Sequence, residues 1–171
     1  MANKVAILLV CTGNICRSPT AEGVMRHKAR RRGLEDRVRI ASAGTHGYHV
    51  GESPDPRAIE HASRRGYDIS EQRAAQVARE DFDTFEYILA MDEGHLHLLQ
   101  ARQPKGSRAR VHLFLDASRQ WKGDDVPDPY YGGADGFEQV LDMVEEAADG
   151  WLDRIEAEVL LAPQRAQGRG S

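Results

Sequence analysis

The chain has 171 residues, a formal net charge of −4 and two cysteines. This length suits one domain with a sizeable core, expected over residues 1–162, and the net charge argues against nucleic-acid binding. No apolar run approaches the roughly 20 residues of a membrane helix, and two cysteines do not suggest a disulfide framework. We therefore expect a cytoplasmic protein without a membrane span, with secretion lacking a recognisable signal peptide as the alternative.

The first apolar run, residues 5–10, is continuous rather than alternating and predicts a strand buried on both faces. Residues 11–19 (CTGNICRSP) form a loop that leads into a helical pattern ending near residue 32. Ser18 is a favourable N-cap and Pro19 suits the first helical position. Backbone N–H groups and the positive end of the helix dipole then point at one small volume, which Cys11 and Arg17 bracket.

The residue types in this loop suit an oxyanion site with a nucleophile. A helix N-terminus and a nearby cation stabilise negative charge, so we expect Cys11 to react as a thiolate. Arg17 offers a planar fork of donors for two phosphoryl oxygens. Gly13 lets the backbone curl with its N–H groups inward, and Asn14 tolerates the left-handed conformation that such a curl needs. The alternative is a buried structural cysteine beside a surface arginine.

Strands and helices alternate along the rest of the chain. We predict strands over 38–41, 87–91 and 110–115, helices over 55–65, 92–101 and 137–161, and short helical turns over 70–77 and 79–82. This alternation predicts an α/β fold, a doubly wound parallel sheet with helices on both faces that binds ligands at its carboxyl edge. Residues 163–171 are expected to form a disordered tail.

Two polar residues are expected near the loop. The crossover from the first strand to the second brings Ser42 beside it. Tyr48 leaves the sheet near the mouth of the cavity, either as a wall of the entrance or as an ordinary surface residue. His95 and His97 are two apart and do not share a helix face, so we interpret them as ordinary helix residues. No histidine spacing predicts a metal site, and we expect no cofactor.

Residues 116–136 form a long acidic loop rich in glycine and proline, and such a loop in a compact domain is more often functional than not. Cleavage of a phosphate ester by a thiolate needs a proton for the leaving oxygen, which a carboxylic acid can supply. The candidates are Asp116, Asp124, Asp125, Asp128 and Asp135. Asp128 is the best of these because Pro127 and Pro129 stiffen the chain around it, although an aspartate before proline also commonly starts a turn.

The loop VCTGNICRSP and the later Asp128-Pro129-Tyr130-Tyr131 together resemble the low-molecular-weight protein tyrosine phosphatase family, whose signature is V-C-x-G-N-x-C-R-S-P followed by D-P. The likeness covers about residues 4–161. It implies a four-stranded parallel sheet in the order 2-1-3-4, the phosphotyrosine protein phosphatase I-like fold. It also implies metal-independent hydrolysis of phosphotyrosine proteins or aryl phosphates through a cysteinyl-phosphate. Cys11 would be the nucleophile, Arg17 would bind phosphate, and Asp128, close to the bound dianion, would be the general acid and then the base.

The resemblance carries further site residues. Substrate and phosphate would be bound by Thr12, Gly13, Asn14, Ile15, Cys16, Ser18, Tyr48, Tyr130 and Tyr131. Asn14, Ser18 and Ser42 would support the loop through hydrogen bonds, with Gln72 at the place of the family's usual histidine. Ile15 favours the tyrosine type, because a threonine tends to stand there in the phosphoarginine branch. Tyr130 and Tyr131 can line a slot deep enough for phosphotyrosine.

Alternatives remain at three points. An arsenate reductase shares the fold and the loop but relays oxidation through later cysteines, and this chain has none after Cys16. A non-catalytic phosphate-binding module usually lacks the nucleophile or the acid. Cys16 is either a small core residue or a redox partner that traps oxidised Cys11 as a disulfide. Tyr130 and Tyr131 could equally face a second copy, so we expect a monomer or a weak dimer.

Overall fold

Four parallel strands form the sheet: β1 (Val5–Cys11), β2 (Val38–Gly44), β3 (Tyr87–Ala90) and β4 (Arg110–Leu113). The structure, a computed structural model, describes residues 4–131, apart from the side chain of Tyr131, and residues 133–157. The strands lie in the order β2-β1-β3-β4, which confirms the predicted sheet. β1 is central and buried at every position, as its continuous apolar sequence predicted.

Helices cover both faces of this sheet, as predicted. They are α1 (Arg17–Arg31), α2 (Pro56–Arg64), α3 (Asp81–Thr84), α4 (Glu93–Arg102) and α5 (Ala134–Ile155). Successive β1 side chains point to opposite faces. Ile7 and Leu9 join the larger core with α1, α2 and α5, whereas Leu8 and Val10 join a smaller core with α3 and α4. No helix in these ranges is long and apolar enough to cross a lipid bilayer.

The end of α1 is tied to α5 by ion pairs. Lys28 lies 3.0 Å from Asp149, and Arg32, directly after α1, lies 3.2 Å from Asp149 and 2.7 Å from Asp153. The fully buried Ile155 ends α5. The helix that starts at the Cys11 loop is therefore held at its other end by α5.

β2 runs three residues further than predicted. Its register with β1 continues from Val5 opposite Val38 to Cys11 opposite Gly44, so the second strand reaches as far as the first. Gly44 is required at this end, because a Cβ there would lie 2.6 Å from the carbonyl oxygen of Thr12. The extended pairing places Ser42 and Gly44 directly beside the loop that follows β1.

The helical turn predicted over residues 70–77 is wrong. Gly44 donates its N–H to Ala75 O and accepts from Val77 N, both at 2.8 Å, so this segment pairs in parallel with the end of β2. Edge backbone groups of β2 need partners, and this extended segment supplies them. The other predicted turn, over 79–82, appears two residues later as α3.

Two boundaries of the long loop also differ from the prediction. β4 ends at Leu113, and Phe114–Ala117 forms a 3-10 turn that buries both Phe114 and Leu115, which an alternating strand would not. A second 3-10 turn spans Pro129–Tyr131, and α5 starts at Ala134, three residues early. The predicted helix residues 158–161 and the tail 163–171 lie outside the described residues.

Candidate active site

The loop after β1 enters α1 two residues earlier than predicted. The helix begins at Arg17, and Cys16 occupies the N-cap position without a side-chain capping hydrogen bond. Ser18 is therefore not the N-cap, and that prediction was wrong. Its hydroxyl turns back toward the nucleophile candidate instead, with Ser18 Oγ 3.0 Å from Cys11 Sγ.

Asn14 is the centre of the hydrogen bonds that shape the loop. It is 2% exposed and adopts the left-handed conformation, with φ of 60°, which confirms the prediction for its backbone. Its amide nitrogen donates to Ser18 Oγ at 2.8 Å and to Ser42 Oγ at 2.9 Å. Its amide oxygen accepts from Ala75 N at 2.9 Å. Both amide hydrogens and the oxygen are thus used, so the side chain has one orientation that satisfies the site.

The hydrogen-bond chain ends on Glu22. Ser42 Oγ donates to Glu22 Oε1 at 2.6 Å, and Arg26 lies 2.9 Å from the other carboxylate oxygen. Burial raises the pKa of Glu22, although Ser42 and Arg26 oppose that effect. Because Asn14 donates to Ser18 Oγ, the hydroxyl hydrogen of Ser18 is left for Cys11 Sγ at 3.0 Å or for Ala43 O at 3.5 Å. A hydrogen bond from Ser18 to the sulfur would favour negative charge there.

Gln72 lies outside this network, contrary to the expectation from the resemblance. Its Nε2 donates to Pro19 O at 3.0 Å, and its Oε1 is buried without a hydrogen-bond partner. Glu22, one helical turn into α1, contacts Ser42 in its stead. Sequence reasoning missed Glu22 because an acidic residue early in a helix is ordinarily explained by the helix dipole.

Arg17 is held in a buried, fixed orientation. It is 4% exposed, and its Nη1 donates to Asp92 Oδ2 at 2.9 Å and to Val126 O at 3.0 Å. Those two acceptors use both hydrogens of Nη1, which leaves the Nε–Nη2 edge for an oxyanion. Asp92 also caps α4 by accepting from His95 N at 2.9 Å, as predicted. Burial opposes the ionised form, but this bond and Arg17 together hold the pKa of Asp92 below its ordinary value.

His95 is a site residue that the sequence analysis missed. Its Nε2 lies 2.7 Å from Thr12 Oγ1, and its Nδ1 lies 3.0 Å from Asp92 Oδ1. Burial lowers the pKa of His95 to about 4, so the ring is neutral at physiological pH. His95 follows β3 at the carboxyl edge of the sheet, and this position was the one available signal.

Asp128 faces the arginine from the other side. Its Oδ2 lies 3.7 Å from Arg17 Nη2, its side chain is 42% exposed, and its Oδ1 accepts from Tyr130 N at 3.0 Å. Cys16, by contrast, is buried. Burial first, and then the nearby Asp55, Cys11 and Asp128, raise the pKa of the Cys16 thiol far above its ordinary value, so Cys16 remains a thiol.

One cavity of about 200 Å³ brings most of these side chains together. Its lining comprises Cys11, Thr12, Gly13, Ile15, Cys16, Arg17, Tyr48, His49, Asp128 and Tyr130. Asn14, Ser18 and Ser42 lie behind the loop and do not line the cavity. Tyr48 is 72% exposed and stacks on His46 with ring centroids 5.2 Å apart. The Tyr131 side chain lies outside the described part of the chain.

Comparison with known proteins adds independent findings. The family model described as low molecular weight phosphotyrosine protein phosphatase matches residues 6–161. The low molecular weight phosphotyrosine protein phosphatase of Schizosaccharomyces pombe is 44% identical over 156 residues, which are 91% of this chain and 99% of that protein. A low molecular weight protein-tyrosine-phosphatase of Streptomyces coelicolor is 42% identical over 156 residues, covering 90% of this chain and 94% of that protein. A crystal structure of an Entamoeba histolytica protein tyrosine phosphatase aligns with a TM-score of 0.86 at 36% identity, covering 90% of this chain and 98% of that chain.

Proposed function

Because this chain belongs to the low molecular weight phosphotyrosine protein phosphatase family, we propose that it hydrolyses phosphotyrosine through Cys11, Arg17 and Asp128. It is a hydrolase of the protein tyrosine phosphatase class. The observation that carries the residue assignment is the shared cavity: Cys11, Arg17 and Asp128 all line it. The arsenate reductase alternative is disfavoured, since Cys11 and Cys16 are the only two cysteines and both belong to this loop.

The cavity suits a phosphate monoester dianion. The Nε–Nη2 edge of Arg17 can hold two phosphoryl oxygens, and the amides of the curled loop from Thr12 to Arg17 can hold the others. Ser18 Oγ lies 3.0 Å from Cys11 Sγ and can donate a hydrogen bond to a thiolate there. Positive field and hydrogen bonds are then in place before the substrate arrives, which is electrostatic stabilisation without reorganisation.

In the first step, Cys11 Sγ attacks phosphorus opposite the phenolic oxygen. The S–P bond forms as the P–O bond breaks, and the leaving oxygen takes the proton of Asp128. A phenolate is a poorer leaving group than a phenol, so this proton transfer lowers the barrier. The products of the step are a cysteinyl-phosphate, a neutral phenol and the Asp128 carboxylate.

In the second step, water attacks the phosphorus of the cysteinyl-phosphate. Asp128 now accepts a proton from the water, the S–P bond breaks, and the thiolate of Cys11 is regenerated with inorganic phosphate. Arg17 holds the equatorial oxygens in both steps, since the charge that spreads over them in each transition state is similar. Neither step is an oxidation or a reduction, so the reaction needs no redox partner.

Aromatic side chains at the mouth support a preference for aryl phosphates. Tyr48 and Tyr130 line the cavity together with the apolar Ile15, so a flat phenyl ring can pass between them. A phosphoserine is shorter and carries no ring that could pack against them. We extend this preference to phosphotyrosine in proteins and to small aryl phosphates alike.

The finer properties follow the same proposal. We place the enzyme in the cytoplasm, where Cys11 and Cys16 stay reduced, and we expect a monomer or a weak dimer that binds no nucleic acid. After oxidation of Cys11 to a sulfenic acid, Cys16 would form a protective disulfide and release water. The raised pKa of Cys16 makes that step slow at neutral pH, because the thiolate is the attacking species. A Cys16→Ser variant that recovers from peroxide as fully as the parent would contradict the protective role.

The proposed reaction is tested with p-nitrophenyl phosphate and a phosphotyrosine peptide in the presence of a metal chelator. We expect full activity in the parent, none in Cys11→Ser, and a loss of about 10²–10³-fold in Asp128→Ala. Rapid acid quenching followed by peptide mass spectrometry should find phosphate on the peptide that contains Cys11. Activity that survives Cys11→Ser would overturn the mechanism.

A further inference from the structure

Arg57, the second residue of α2, reaches from that helix to the segment that carries the proton donor. Its Nη2 donates to the carbonyl oxygen of Tyr130 at 3.0 Å. Arg57 does not line the cavity, so it has no direct contact with the phosphate. Its contacts nevertheless lie two residues from Asp128, which makes it a candidate for an indirect role.

The backbone of Tyr130 connects Arg57 to the carboxyl group of Asp128. The N–H of Tyr130 donates to Asp128 Oδ1 at 3.0 Å, while the carbonyl of the same residue accepts from Arg57. Both hydrogen bonds are made by the backbone of Tyr130, so a displacement of this residue would disturb both of them. Since the Asp128 side chain is 42% exposed, few other groups restrict it. The direction of the carboxyl thus depends on how firmly Tyr130 is held.

The Arg57 guanidinium is also anchored on Asp55. Arg57 Nε donates to Asp55 Oδ1 at 3.1 Å and Nη2 donates to Oδ2 at 2.9 Å, a bidentate pair that fixes the plane of the guanidinium. Hydrogen bonds from Arg57, opposed by burial, hold the pKa of Asp55 below its ordinary value, so Asp55 stays ionised. Asp55 in turn donates its N–H to Ile15 O at 2.8 Å.

Two aromatic rings complete the anchorage. The guanidinium carbon of Arg57 lies 5.4 Å from the ring centroid of Tyr130 and 5.0 Å from that of Phe137 on α5. These cation–π distances leave the planar guanidinium few alternative positions. One side chain therefore contacts α2, α5, the segment after Asp128 and, through Asp55, the phosphate loop.

We propose that Arg57 is a positioning residue that holds Asp128 at the leaving oxygen by clamping the Tyr130 carbonyl to the Asp55 carboxylate. This inference rests on the proposed role of Asp128 as general acid. A lysine could satisfy only part of the arrangement, since an ammonium lacks the planar fork that contacts Asp55 and Tyr130 at once. Arg57 does not line the cavity and its charge is paired with Asp55, so its proposed role is to fix the direction of the proton donor.

The test measures kcat/KM for a series of aryl phosphates from dinitrophenyl phosphate, a good leaving group, to phenyl phosphate, a poor one. In Arg57→Met we expect about a tenfold loss with phenyl phosphate and less than about a twofold loss with dinitrophenyl phosphate, because only the poor leaving group needs the proton. Arg57→Lys should fall between parent and Arg57→Met. Arg64→Met, an exposed residue of the same helix that pairs with Glu60, is the matched control and should match the parent.

Two further measurements separate this role from a merely structural one. The inhibition constant of inorganic phosphate as a competitive inhibitor should stay within about twofold of the parent value in Arg57→Met, since the loop that binds phosphate is unchanged. In an Asp128→Ala background, Arg57→Met should add no further dependence on the leaving group. An equal loss with every substrate, or a severalfold weaker inhibition by phosphate, would overturn the proposal. Failure of the proposed function would look different: the parent itself would show no aryl phosphate hydrolysis, or Cys11→Ser would retain it.

Discussion

The loop of residues 11–17 and the segment around Asp128 line the same cavity but are held with different firmness. The loop is held rigidly, because Asn14 is almost fully buried, its amide makes three hydrogen bonds, and its backbone adopts a left-handed conformation. Asp128, with its side chain 42% exposed, is held by one backbone hydrogen bond and lies 3.7 Å from Arg17. An anion site gains from rigidity, whereas the proposed role of Asp128, which is to give and then take a proton, gains from a position that can adjust slightly.

The largest effect on activity and stability should come from removing the Asn14 side chain, which holds the loop rigid. We expect Asn14→Ala to lower kcat/KM by at least about 100-fold with good and poor leaving groups alike. The reason is that a displaced loop would position the phosphate of every substrate incorrectly. Unfolding by urea should show a loss of about 3 kcal/mol or more, since buried partners at Ser18, Ser42 and Ala75 are left unpaired.

Asn14→Gly is the matched control for that experiment. Glycine accepts the left-handed backbone without strain but lacks the amide, so it should be more stable than Asn14→Ala by about 1 kcal/mol and still be strongly impaired. Activity of Asn14→Gly within a few-fold of the parent would mean that the hydrogen bonds of the side chain do not hold the loop.

The next prediction concerns the pH dependence of stability caused by His95, which contacts the loop at Thr12. Its pKa is lowered to about 4 in the folded protein, while an unfolded histidine titrates near 6.5. Between these values the unfolded chain binds a proton that the folded one does not. The free energy of unfolding should therefore fall as pH drops from about 6.5 to 4, by about 2–3 kcal/mol. Five groups act on this ring electrostatically or by contact: Asp92, Arg17, Asp125, Asp128 and the Thr12 hydroxyl.

The measurement is urea unfolding at several pH values in that window. In His95→Asn the acid-induced loss should be reduced, because the buried titrating group is gone. His97→Asn is the control, since His97 is exposed on the same helix, and it should keep the acid dependence of the parent. Identical pH profiles for the parent and His95→Asn would contradict the assignment.

Glu22 should matter less, and only to the loop. In Glu22→Gln the amide oxygen can still accept from Ser42, so kcat/KM should fall by no more than about fivefold, the difference between a charged and a neutral acceptor. The raised pKa of Glu22 means that the parent loses stability as pH rises through it. Stability of the variant relative to the parent should therefore increase from acidic to neutral pH. A relative stability that decreases with rising pH would show that the ionised carboxylate is favourably paired.

The smallest effect is expected at Gln72, which lies outside the network. Gln72→Met removes the hydrogen bond to Pro19 O and also the buried oxygen that lacks a partner, so the free energy of unfolding should change by less than about 1 kcal/mol. Aryl phosphate hydrolysis should stay within about twofold of the parent. A loss as large as that of Asn14→Gly would place Gln72 in the loop's support after all.

The sequence was informative where structure depends on neighbours in the chain. The strand–loop–helix order, the left-handed Asn14 and the cap at Asp92 all follow from residue types within a few positions of each other. The sheet order came from the family resemblance rather than from the pattern. The start of α1 at Arg17 was missed because Ser18, a good capping residue in isolation, has a better partner in the Cys11 sulfur.

What sequence reasoning missed depends on distant contacts. His95 and Thr12 are 83 positions apart, and Arg57 and Tyr130 are 73 apart, so no local pattern links them. The segment 70–77 was misassigned for the same reason, since its conformation is decided by pairing with Gly44. The glutamine at position 72, where the family usually has a histidine, was visible in the sequence. The contact of Glu22 with Ser42 in its place could be seen only in the structure.

The tie between α1 and α5 has a practical consequence for engineering. α1, which begins at the Cys11 loop, is fastened at its far end by Asp149 and Asp153, so α5 helps to keep the proposed catalytic cavity in shape. A reporter domain or affinity handle should be joined beyond Ile155. Shortening the chain before Asp149 should make the cavity less rigid even though Cys11, Arg17 and Asp128 are all still present.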